Sequence, residues 1–177
     1  MNHDDHVGLI RDGIASASVG VWADLGSGWG AFTLALADLL GPGSQIYSVD
    51  RDRGSLRDQE RAMRSRFPAI AVTYLTADFT QPLDLPPLDG IVMANSLHFQ
   101  RDKDAVLQLV RGYLKPGGRL VVVEYNTDHG NPWVPFPLSY PTWEALARRA
   151  GFATTRLLAT HTGGRHTDMY SALSRLS

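Results

Sequence analysis

Short apolar runs alternate along this chain with longer stretches whose apolar positions recur every three or four residues, the periods of strand and helix. The runs predict strands at 20–24, 45–49, 70–75, 88–94 and 119–124. The longer stretches predict helices at 30–40, 52–66 and 101–113, with an N-terminal helix over 6–16. Gly41-Pro42-Gly43, Phe67-Pro68 and Lys115-Pro116-Gly117-Gly118 stop these elements, and Pro82, Pro86 and Pro87 mark a loop. After the fifth strand, 126–140 is a proline-rich loop carrying Trp133, Phe136 and Tyr140, a candidate lid or binding loop. A helix over 141–150 with Thr142 as its cap follows. Strands at 152–160 and 167–173 close the chain, joined by the turn Thr162-Gly163-Gly164-Arg165. Strand–helix alternation implies right-handed crossovers. The fold class is therefore α/β, a doubly wound, mostly parallel sheet with helices on both faces.

One junction in this pattern carries chemistry. In Val21-Trp22-Ala23-Asp24-Leu25-Gly26-Ser27-Gly28-Trp29-Gly30 an apolar strand meets an acid and then three glycines at alternate positions. Strand, glycine turn and helix place a nucleotide-like ligand at the carboxyl edge of a parallel sheet. Glycine suits the turn because the backbone must bend sharply and approach the ligand with no Cβ in the way. The second strand ends at Asp50, 24 positions beyond Gly26. A carboxylate there can accept both hydroxyls of a ribose. It equally suits the N-cap of the next helix, and both roles are compatible. Gly26, Gly28 and Ala31 also satisfy the dinucleotide pattern G-x-G-x-x-A, so the turn alone leaves two cofactor classes open.

Features elsewhere separate the two classes. Asp24 extends the turn to D-x-G-x-G-x-G. The third strand is followed by Ala77-Asp78-Phe79, and the fourth by Asn95-Ser96-Leu97-His98-Phe99. Leu114-Lys115-Pro116-Gly117-Gly118-Arg119-Leu120 leads into the fifth. On these residues the chain resembles the class I S-adenosylmethionine-dependent methyltransferases, close to the small-molecule type grouped with the ubiquinone-biosynthesis methyltransferases. The resemblance covers roughly residues 15–175. It implies one Rossmann-like methyltransferase domain over 1–177, with 1–18 as an N-terminal helical segment and about seven strands, the last antiparallel. It also implies S-adenosylmethionine as cofactor and S-adenosylhomocysteine as product. Asp24 and the backbone of Gly26, Ser27, Gly28 and Gly30 would hold the methionine part. Asp50 would bind the ribose with Arg51 beside it. Asp78 would accept from the adenine amino group with Phe79 packing nearby. Asn95 and Ser96 would line the methionine side through backbone groups. Trp29 departs from the family, which usually has a smaller residue there, and its ring could shield the cofactor or narrow access.

Composition narrows the partners. The 177 residues are 44% hydrophobic and 20% charged, the profile of an ordinary globular domain. A net charge of −1 with no long basic run argues against a nucleic-acid partner. Arg57, Arg61, Arg64 and Arg66 are interspersed with acids and read as a solvated helix face. The absence of cysteine excludes disulfides, cysteine-ligated metal and a cysteine nucleophile. His3-Asp4-Asp5-His6, at a chain end, is read as no metal site. No apolar stretch reaches the length of a membrane span and no signal peptide starts the chain, so a cytoplasmic protein is the expectation. Monomer and homodimer both remain open.

Sulfonium methyl transfer is an in-line displacement at a carbon activated by the cofactor, so the protein chiefly aligns the partners and keeps them dry. A base helps when the acceptor is a hydroxyl, thiol or protonated amine. His98, an imidazole following the fourth strand, is the candidate catalytic base, with a structural role as the competing reading. His129, His161, His166, Tyr125 and Arg165 are weaker candidates. The resulting expectation is methyl transfer to a small-molecule acceptor at oxygen or nitrogen. Two other classes compete with it: an NAD(P)-dependent oxidoreductase sharing the glycine turn, and a non-catalytic S-adenosylmethionine-binding partner protein.

Overall fold

In the computed structural model, which describes residues 1–14, 17–163 and 167–177, strands and helices alternate through the first five strands except between the third and fourth, which a loop joins. Helix α1 is His3–Ile10, continued by a 3-10 turn at Arg11–Gly13. Strands β1 (Val21–Leu25), β2 (Gln45–Asp50), β3 (Ala71–Thr76), β4 (Leu88–Ala94) and β5 (Leu114–Tyr125) follow. Helices α2 (Ala31–Leu39) and α3 (Arg53–Arg66) connect the first three, and α4 (Lys103–Tyr113) connects β4 to β5. Helix α5 (Tyr140–Arg149) and strands β6 (Thr154–Gly163) and β7 (Thr167–Arg175) complete the chain. The sheet order is β3-β2-β1-β4-β5-β7-β6. The first five strands pair in parallel, and β7 runs antiparallel to both neighbours.

Period-two alternation divides the core between the two sheet faces. On β4 and β5, Ile91, Met93, Leu120 and Val122 pack with α4 and α5 residues such as Leu107 and Trp143. Their neighbours Val92, Ala94, Val121 and Val123 pack with Ile10 of α1, Leu36 of α2 and Met63 of α3. The central strands therefore read as continuous apolar runs, as expected when both faces are covered.

Several boundaries differ from the expectation, each for a local reason. The first helix begins at His3 because Asn2 and Asp5 form a capping box, and it tightens to 3-10 geometry at Arg11. Of its expected end, residues 15 and 16 lie outside the described residues. Helix α4 starts at Lys103 because Asp102 accepts from the amides of Asp104 and Ala105. Strand β5 starts at Leu114 rather than 119. Leu114 pairs with Leu88 and the next pair is Gly90 with Arg119, so Lys115–Gly118 bulges out of the ladder. Helix α5 is flanked by an extended Ser139, and Thr142, the expected cap, lies inside the first turn. Between Pro82 and Pro87 the chain has no helix. Part of the expected turn, Gly164-Arg165, lies outside the described residues. No helix among the described residues is long and apolar enough to cross a membrane.

Candidate functional site

The order of the sheet decides where a site can form. Connections from β1 to β3 build the sheet outward on one side, and β4 and β5 extend it on the other. A crevice therefore opens beyond the carboxyl ends of β1 and β4, the switch point where doubly wound sheets bind ligands. A cavity of about 240 Å³ occupies it, walled by Gly26 and Gly28 from β1, Asp50 and Arg51 from β2, Ala77 and Phe79 from β3, and Asn95, Ser96, Phe99 and Gln100 from β4. Larger hollows lie along α3, between α4 and α5, and at the opposite edge of the sheet beside Gly117 and Gly118, but none of them lies at the carboxyl ends of β1 and β4.

The glycine turn owes its shape to close packing and positive φ. Gly26 has φ 80°, and a Cβ there would sit 2.5 Å from Ser96 Cβ and 3.1 Å from Phe79. Gly28 has φ 51° and nothing within 4 Å of its Cβ position, so its backbone faces open space. Its N–H donates to Asp50 Oδ2 at 2.7 Å, while Oδ1 accepts from Asp52 N at 2.8 Å. The residue capping α3 is thus Asp52, and Asp50 is turned toward the glycines.

Across the cavity, Asn95 adopts φ 52°, a left-handed conformation that asparagine tolerates. Its Oδ1 and the Oγ of Ser96 are buried and have no hydrogen-bond partner. Arg111 Nε, Trp143 Nε1 and Tyr170 OH are in the same state elsewhere in the fold, but of the five atoms only those of Asn95 and Ser96 belong to residues of the cavity wall. Arg51 lies 3.5 Å from Asp78. The amide and hydroxyl of Thr80 hold the Asp78 carboxyl below the usual range, with Arg51 adding to the effect.

Several residues expected at the site lie behind or beside the wall. Asp24 is 1% exposed and accepts from Thr33 Oγ1 at 2.6 Å. Thr33 lies in the first turn of α2, so Asp24 faces the N-terminus of that helix, whose own cap, Gly30, has no side chain. Burial pushes Asp24 up to about 7, against the Thr33 hydrogen bonds and with help from the charge of Asp50. Ser27 and Gly30 face α3, where Gln59 lies against both.

His98 is 3% exposed, and its Nδ1 lies 2.7 Å from Glu124 Oε2. Glu124 is fully buried, and its Oε1 accepts from the amides of Leu97 and His98 at 2.9 and 3.2 Å. With that carboxylate committed as an acceptor, Nδ1 carries the proton and donates. Nε2 is then the basic nitrogen, and it has no partner among the described residues. The ring packs between Phe99 and Tyr125, at centroid distances of 4.3 and 5.6 Å.

The loop over 126–140 is tied at both ends and in the middle. Asn126 Oδ1 accepts from Tyr140 N, and Asp128 accepts from Ser139 N and Oγ. Phe136 N donates to His98 O at 2.9 Å, and Lys103 Nζ donates to the carbonyls of Gln100 and Phe136. Among the weaker candidates, only Tyr125 touches His98. His161 lies near His6 of α1, and Arg165 and His166 lie outside the described residues. His3 pairs with Asp38 and Asp5 caps α1.

Sequence reasoning missed Ala77, Phe99 and Gln100 on the wall, and Gln59, Thr33 and Glu124 behind it. Two of these had a signal. Glu124 ends an apolar run, and Gln59 shares its helix stripe with Leu56 and Met63.

A family model described as a methyltransferase domain matches residues 20–155, which carry every wall residue of this cavity. The chain belongs to the methyltransferase domain family. The acetylserotonin O-methyltransferase of Mus musculus is 33% identical to this methyltransferase domain over 162 residues, 77% of the chain and 40% of that relative. The ubiquinone/menaquinone biosynthesis C-methyltransferase of Pasteurella multocida is 31% identical over 105 residues, 58% of the chain and 39% of that relative. The methyltransferase domain thus spans about two fifths of the length of these two relatives. Among solved structures, the 1,6-didemethyltoxoflavin N1-methyltransferase of Burkholderia thailandensis shares the fold with TM-score 0.76 and 16% identity, covering 99% of this chain and 78% of that one. The oxidoreductase reading of the glycine turn is not favoured.

Proposed function

We propose that this domain transfers a methyl group from S-adenosylmethionine to a small-molecule acceptor, at oxygen or nitrogen. One observation carries the reading. At the switch point, the Asp50 carboxylate faces a glycine turn, and Asn95 Oδ1 and Ser96 Oγ are buried across the cavity without partners. These acceptors fit a cofactor that brings ribose hydroxyls and an ammonium group. When bound, S-adenosylmethionine supplies a methyl carbon already activated by its sulfonium, leaving S-adenosylhomocysteine as product.

The chain's own residues hold and align. Each oxygen of Asp50 accepts one backbone N–H and keeps a lone pair for a ribose hydroxyl. Asp78, beside Arg51, accepts from the adenine amino group, and Phe79 packs against the ring. Asn95 and Ser96 serve the methionine side. His98 Nε2 takes the proton of an acceptor O–H or N–H, and this base is what favours oxygen or nitrogen. Trp29, Phe99 and Phe136 are 72%, 54% and 39% exposed on the loops that leave β1, β4 and β5. Their rings offer apolar surface on the acceptor side.

The direct test is calorimetric titration with S-adenosylhomocysteine. Wild type is expected to bind, and Asp50→Ala to bind at least about tenfold more weakly, the loss of charge-assisted hydrogen bonds. Unchanged affinity in that variant would remove Asp50 from the site. Thermal stabilisation by NAD(P) but not by S-adenosylhomocysteine would overturn the cofactor assignment itself.

A further inference from the structure

We infer that Gln59, on α3 and outside the cavity wall, is a positioning residue that sets the shape of the cofactor turn. This rests on the methyltransferase reading above. Gln59 is fully buried, and its amide is completely engaged. Nε2 donates to Gly28 O at 2.5 Å and to Ser27 Oγ at 2.9 Å. Oε1 accepts from Ser48 Oγ at 2.8 Å, and Ser48 Oγ lies 2.8 Å from Ser27 Oγ.

The protons of this network can be assigned. An amide oxygen only accepts, so the Ser48 hydroxyl donates to Gln59 Oε1. Ser48 Oγ also faces Ser27 Oγ as a donor, its one proton shared between the two acceptors, and Gln59 Nε2 donates to Ser27 Oγ. The three groups close a ring around the Gln59 amide, which donates to Ser27 Oγ and accepts from Ser48 Oγ. The second amide proton is left for Gly28 O. Gly28 is consequently held from both sides, its N–H by Asp50 and its C=O by Gln59. The Gln59 stem also fills the space that a Cβ at Gly30 would need. Gln59 therefore fixes a left-handed glycine in one orientation and, through its N–H, the direction of the Asp50 carboxylate. No other side chain among the described residues hydrogen-bonds Gly28 O.

Glutamate is the sharpest replacement. It keeps the shape but has no proton for Gly28 O or Ser27 Oγ, so it sets a carboxylate oxygen against a carbonyl. Gln59→Glu and Gln59→Met are each expected to raise the Kd for S-adenosylhomocysteine by about tenfold or more. Turnover at saturating cofactor should stay within about twofold, because the acceptor side is untouched. Hydrogen exchange at the amides of Gly28–Gly30 should quicken by a similar factor without any ligand, a readout independent of the cofactor reading. Ser48→Ala, which opens the ring while leaving the Gly28 bond, is expected to act in the same direction by about threefold and serves if the Gln59 variants do not fold. Kd and exchange both unchanged in a folded variant would overturn the inference. So would a fall in turnover matching the fall in affinity. Failure of wild type to bind S-adenosylhomocysteine, with exchange still responding, would refute the cofactor reading instead and leave Gln59 as the turn's anchor.

Discussion

Replacing His98 with alanine is expected to lower turnover by about two to three orders of magnitude, the usual contribution of a general base. The affinity for S-adenosylhomocysteine should change by less than about threefold, since His98 is not on the cofactor wall. The geometry behind this is the commitment of Glu124. Its Oε1 accepts two backbone N–H groups, which fixes the carboxylate, and its Oε2 receives the Nδ1 proton. Nε2 is left as the basic atom of a ring clasped by Phe99 and Tyr125. Glu124→Gln tests the same point with little change of shape. The Leu97 and His98 amides require an oxygen, so the new NH2 must face Nδ1 and push the proton to Nε2. Turnover should then fall nearly as far as in His98→Ala, with the fold retained. Labelled methyl transfer to a panel of phenols and amines measures the rate, and calorimetry the affinity. Equal losses of rate and affinity in His98→Ala would assign His98 a structural role.

Asp24→Asn is expected to change the pH dependence of stability by about 2–3 kcal/mol between pH 5 and 8. Burial raises the Asp24 carboxyl from 3.8 to about 7 in the folded chain. A raised carboxyl contributes fully below the unfolded value, and that contribution is lost as pH rises through the folded one. Wild type should therefore lose stability progressively from about pH 4 to pH 7 on this account and then level off. At about 1.4 kcal/mol per pH unit, most of the loss falls inside the pH 5–8 window. Asparagine does not titrate and can still accept from Thr33. The variant minus wild-type difference, from urea melts at pH 5 and pH 8, isolates Asp24 from the other titrating groups. A difference that stays constant across that range would mean that Asp24 ionises freely in the fold.

Much of the architecture was legible because it is written in short-range patterns. Apolar runs at 88–94 matched β4 residue for residue, and the turn at 26–30 could be read from glycine spacing alone. Asp50 was legible because a strand end next to a helix start leaves a carboxylate few places to go. The start of β5 was not, because Leu114 joins the ladder only by finding Leu88 across a bulge. Thr142 was misassigned as a cap because Asn126 and Asp128 hold Ser139 and Tyr140 from the far end of the loop.

Local patterns along the chain specify an α/β sheet, a glycine turn at its carboxyl edge, and acids at the ends of β1, β2 and β3. These depend on period, on φ preference and on what may follow a strand, all local properties of the chain. What those acids contact follows from how the elements pack. Packing sent Asp24 to the end of α2, turned Asp50 toward Gly28, and placed Glu124 under His98 and Gln59 under the turn. Each of those pairings joins different elements of the fold. A buried hydrogen bond depends on where two elements settle against each other, and no local pattern in the chain records that distance.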